Sequence, residues 1–192
     1  MGARAACAVA YKVGDNHMCV GVVAFSYPLH TETNISKLRD ELLIELDEAS
    51  VPLLLISGTR DSMCSLDVLA NVRSRMRMGL HRLVKIYNAT HSGAIKGGKV
   101  VNDKLEIVIT RFVVSWVETL ARGEGRWKSH EPCVKVENKD MVVEWEPLDQ
   151  YVVEEKKKVD TLEKNDIEVR APKSEIKLVE TKRRSSRKRK AA

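Results

Sequence analysis

Apolar residues along the chain fall into short continuous runs separated by amphipathic stretches. Residues 51–57, Val-Pro-Leu-Leu-Leu-Ile-Ser, have no polar face and are too few for a typical helix. They read as a strand buried on both sides within a parallel sheet. Residues 19–25 and 83–87 have the same character. Between these runs the period changes. Residues 36–49 set Leu38, Leu42, Leu43 and Leu46 on one side and acids on the other, an amphipathic helix with Ser36 as its N-cap. Residues 65–78 turn Leu66, Leu69, Val72 and Met76 inward and Arg73, Arg75 and Arg77 mostly outward. Residues 105–120 are rich in β-branched side chains, but Leu105, Ile109, Phe112, Trp116 and Leu120 trace a helix face, with Asn102 and Asp103 as its cap. Residues 2–11 are rich in Ala and favour helix. Helices alternating with buried strands predict an α/β fold, a parallel sheet with helices on both faces.

After Gly123-Glu124-Gly125 the alternation ends. The expectation is a folded domain over residues 1–124 and a charged, mostly disordered tail over 125–192. Two short strands fit into that second part, 133–136 and 141–145. From Glu154 onward isolated aliphatics sit among mixed charges, too little apolar surface to offset the entropy of ordering.

Charge changes the picture only at one end. The 192 residues carry a formal charge of +6. Residues 1–124 hold 15 Lys and Arg against 13 Asp and Glu, and the remainder 18 against 14. The cluster Lys182, Arg183, Arg184, Arg187, Lys188, Arg189 and Lys190 contains no acid. The four cysteines, Cys7, Cys19, Cys64 and Cys133, lack a C-x-x-C pair, so neither a disulfide framework nor a zinc site is expected. His17 and Cys19 have no second pair of ligands, and no metal or cofactor is expected. No stretch approaches the roughly 20 apolar residues of a membrane span, and no charged-then-apolar leader opens the chain. A soluble intracellular protein with reduced thiols is the expectation.

Candidate chemistry lies where the strands end. Asp61 follows one strand and His91 the next, and parallel neighbours bring their C-terminal ends to one rim, where α/β proteins bind ligands. A carboxylate that orients a histidine is two-thirds of a nucleophilic triad, and the order acid before histidine is that of α/β-hydrolases. Two simpler readings stay open: Asp61 as the cap of the helix starting near Ser65, and His91 as a solvated turn residue. The nucleophile motif G-x-S-x-G is absent. Met1-Gly2-Ala3-Arg4 fits the second half of that elbow, with the serine directly before Met1.

Several segments carry a family likeness: Met1-Gly2-Ala3-Arg4, Ser26-Tyr27-Pro28-Leu29-His30, Leu38-Arg39-Asp40-Glu41, Leu55-Ile56-Ser57-Gly58-Thr59-Arg60-Asp61, Asp61-Ser62-Met63-Cys64 and Asn88-Ala89-Thr90-His91-Ser92. In this order and spacing, up to about Arg122, the chain resembles α/β-hydrolase-like proteins of the dienelactone-hydrolase type. It is most similar to the branch that includes a nonspecific-lethal histone acetyltransferase complex subunit and a small testis-expressed relative. The resemblance implies the C-terminal part of a three-layer hydrolase sandwich, with Asp61 as triad acid, His91 as triad histidine and the Met1 backbone N–H as an oxyanion donor. It also implies that the family's earlier half and its serine are missing from the chain as written. The expectation is then a truncated gene model, a fragment or a short splice form, inactive on esters and exposing an apolar edge at residues 19–25.

The basic cluster resembles a nuclear-import signal. It favours the nucleus over the cytoplasm, with an import receptor as partner and only weak, non-specific nucleic-acid binding. The second functional reading is a non-catalytic nuclear interaction module, partnered by a chromatin complex or another protein.

Overall fold

In the computed structural model of the protein, which describes residues 2–14, 19–123 and 126–148, the run after Pro52 is strand β2 (Leu53–Gly58), buried at all six positions. It lies between β1 (Val22–Phe25) and β3 (His81–Ile86), parallel to both, with Leu53 level with Val22 and His81. Alternate residues of β2 enter two separate cores, as the period of a strand requires. Leu53 and Leu55 pack with Cys7 and Ala10 of α1 (Gly2–Gly14), Leu43 and Leu46 of α2 (Glu41–Glu48), and Leu69 and Val72 of α3 (Leu66–Ser74). Leu54 and Ile56 pack with Val101, Leu105, Phe112 and Trp116 of α4 (Gly98–Arg122). The fold is therefore α/β in three layers, α1 to α3 on one face and α4 on the other.

Three helix boundaries differ from expectation, two of them because a side chain holds the preceding loop. Ser36 is no N-cap. Its hydroxyl and the Lys37 N–H both donate to the Asn34 carboxamide oxygen, at 2.9 and 3.2 Å, and the Arg39 N–H donates to the Leu29 carbonyl. Those bonds occupy the groups a helix would need, so α2 starts at Glu41. Asn102 lies inside α4, where it accepts from the Ile95 N–H and donates to the Ile95 and Gly98 carbonyls, tying down the incoming loop. The N-cap is Gly97, at φ 141°. The third helix ends at Ser74, and Arg73 points inward, buried against Glu131 at 2.6 Å.

Glu131 marks the largest difference. The sheet runs past the boundary expected at residue 124, through β4 (His130–Glu137), parallel to β3, and β5 (Asp140–Pro147), antiparallel to β4. Among the described residues the strand order is β1-β2-β3-β4-β5. Trp127, Cys133 and Val134 are buried. Phe112, Trp127 and Trp145 meet edge to face at 5.4–6.0 Å, binding α4 to the hairpin. Residues 149–192, including the rest of the expected tail, lie outside the described residues.

One buried group ties stability to pH. His81 is sealed between α2 and β3, its Nδ1 3.9 Å from an Asp47 carboxylate oxygen, too far for a hydrogen bond. Burial pushes the imidazole below its ordinary value, outweighing the pull of Asp47 toward the charged form. Below about pH 6.5, the ordinary value, the unfolded chain binds a proton that the folded chain resists. The stability tied to His81 is thus full above that pH and declines as pH falls through it, down to the lower folded value. Urea midpoints measured from about pH 7.5 to 5 are expected to fall for the native chain and to fall less for His81→Gln.

Candidate active site

The register pairs Gly58 with Ile86, so β2 and β3 end level and their outgoing loops run side by side. The loops are laced together: the Thr59 N–H donates to the Ile86 carbonyl, the Arg60 N–H to the Ala89 carbonyl, and the Asn88 N–H to the Thr59 hydroxyl, at 2.8–3.0 Å. This closeness needs Gly58, since a Cβ there would lie 2.2 Å from the Ala89 carbonyl oxygen. Asn88 turns the second loop with φ 59°, a region Asn tolerates better than most residues.

The lacing brings Asp61 and His91 into contact. His91 Nδ1 lies 2.9 Å from Asp61 Oδ1 and 3.0 Å from Oδ2, and Oδ1 also accepts from the Met63 N–H at 2.8 Å. The Asp61 side chain is fully buried, while that of His91 is 32 % exposed. An ionised carboxylate only accepts, so it receives a hydrogen bond from Nδ1–H, and in the neutral ring Nε2 keeps its lone pair. Both simpler readings fall. Ser65 caps α3, its hydroxyl accepting from the Val68 N–H. The turn around His91 is held by the Thr90 and Ser92 hydroxyls and by the Gly93 N–H on the Thr90 carbonyl, which leaves the imidazole to Asp61.

His91 faces a pocket of about 400 Å³ whose other walls are Gly2, Ala3 and Ala6 of α1, Val23 and Phe25 of β1, and Ser26. The first turn of α1 thus lies beside the imidazole. The Phe25 ring rests on Gly93, which has no side chain to hold it off. Ser26 supplies the only hydroxyl among the described lining residues, a role that sequence reading did not give it; its position directly after a strand was the available signal. Cys7 and Cys64 are no substitute nucleophiles, because burial pushes both thiols up to about 11, leaving little thiolate near neutral pH. No group of three or more His, Cys, Asp or Glu among the described residues is placed to hold a metal ion.

Val23 and Phe25 on β1 are 36 % and 41 % exposed, and among the described residues β1 pairs with β2 alone, the apolar edge anticipated for this strand. The Met1 oxyanion assignment and the basic cluster Lys182, Arg183, Arg184, Arg187, Lys188, Arg189 and Lys190 lie outside the described residues.

Compared with known families, residues 1–111 match the profile of the alpha/beta hydrolase domain, a span that contains Asp61, His91 and every described wall of the pocket. No solved structure matches the chain.

Proposed function

We propose, since the chain belongs to the alpha/beta hydrolase domain family, that Asp61 and His91 are the acid and the general base of a serine-type acyl or ester hydrolase site. The contact between His91 Nδ1 and the buried Asp61 carboxylate, at 2.9 Å, carries this reading. In such a site the His91 Nε2 removes the proton from an attacking hydroxyl as that oxygen bonds to the acyl carbon. It returns the proton to the leaving alkoxide as the ester bond breaks, and repeats both steps with water to release the acid. Asp61 keeps the proton on Nδ1 and balances the imidazolium.

The hydroxyl to be activated is the missing part. Ser26 is the only one among the described pocket walls, and its Oγ makes no hydrogen bond to His91. The nucleophile is therefore assigned to none of the described residues, and on this reading the described residues alone are inactive. The finer likeness, to the dienelactone-hydrolase type and its chromatin-linked branch, belongs to the same proposal. Labelling with a fluorophosphonate probe tests it. The described residues alone should stay unlabelled, and a form of the protein that includes the nucleophile should label at a serine. Absence of labelling in both forms would remove the enzyme reading and favour the non-catalytic interaction module.

A further inference from the structure

Ser26 has three properties that the chemistry of Asp61 and His91 does not use. It follows directly on β1 with φ 48°, in the left-handed region that a residue with a Cβ enters at a cost. It is 7 % exposed, and its N–H is fixed to the Ile56 carbonyl at 2.8 Å. Its Oγ is buried without a hydrogen-bond partner. Buried hydroxyls are almost always paired, and strained backbone concentrates where ligands are held. Ser26 shares its pocket with His91 and the first turn of α1, between the apolar walls of Ala3, Ala6, Val23 and Phe25.

We propose that Ser26 is a positioning residue for the acyl group of an ester. Its hydroxyl donates to an oxygen of the bound ester, or of the carboxylate released from it, and so sets the acyl carbon in front of His91. This rests on the reading of Asp61 and His91 as a hydrolytic site.

Butyrate, the acid half of such an ester, serves as the probe. It is titrated into the isotope-labelled full chain while the NMR signals of the His91 ring and the Ser26 amide are followed, with melting curves recorded in parallel. The native chain should show saturable shifts of His91. Ser26→Gly should melt at or above the native temperature, because Gly adopts φ 48° freely, yet bind butyrate about tenfold more weakly, the loss of roughly one hydrogen bond. Ser26→Ala, which keeps the Cβ, should show the same loss of binding. Affinity within about threefold of native in both variants overturns the role of Ser26 and leaves the hydrolytic reading intact. Absence of any saturable His91 shift in the native chain overturns both.

Discussion

His91→Ala is expected to abolish fluorophosphonate labelling of a form that carries the serine, with the rate falling about 10^4- to 10^6-fold. No neighbour can take over. The Asp61 carboxylate is fully buried behind the ring, and no other described wall of the pocket carries a base. Asp61→Asn is expected to cost about 10^4-fold, because the amide can donate to Nδ1 and so shift the proton to the nitrogen that must accept. Stopped-time labelling with gel readout measures both, with circular dichroism to confirm that each variant folds. Labelling of His91→Ala at the native rate would show that the serine does not depend on this imidazole.

Glu131→Ala is expected to be the most damaging single change to the fold, lowering unfolding free energy by about 3–5 kcal/mol. The carboxylate is buried between α3, β3 and β4. It accepts from Arg73 at 2.6 Å and from the Leu83 backbone N–H at 2.9 Å. Truncation removes the oxygen that accepts from both donors and takes this counter-charge from the buried guanidinium. The paired change Arg73→Met with Glu131→Leu should cost far less, since two apolar chains remove the charge along with its partner. Urea denaturation of the native chain and the two variants decides the matter. A loss under about 1 kcal/mol for Glu131→Ala would mean that the pair is solvated in solution.

The difference between what the sequence disclosed and what it hid follows from the reach of the forces involved. The strands of the buried sheet were legible because Leu53 to Ile56 are apolar on both faces, a pattern local to a few residues. Asp61 and His91 were legible because parallel strands bring successive loops to one rim. The two strands of the β4–β5 hairpin were placed, at 133–136 and 141–145, but their joining the sheet was not legible. Its outer strand alternates Val and Trp with Glu, and its turn uses Asn138 and Lys139 at positive φ, with no glycine to mark it. Its buried anchors act over long separations: Arg73 reaches Glu131, and Trp127 and Trp145 reach Phe112. Arg73 was placed outward for the same reason, since nothing near it in sequence announces a buried carboxylate. Ser26 went unassigned because neither its backbone angle nor its lack of a partner can be read from composition.

The pairing of Asp61 with His91 is tested most directly by nitrogen-15 NMR of the His91 ring at about pH 9, where an imidazole is neutral. The native chain should show a protonated, hydrogen-bonded Nδ1 and a bare Nε2, a preference that Asp61→Asn loses. A native ring protonated on Nε2, or identical ring spectra in the two proteins, would contradict the pairing and the hydrolytic site built on it.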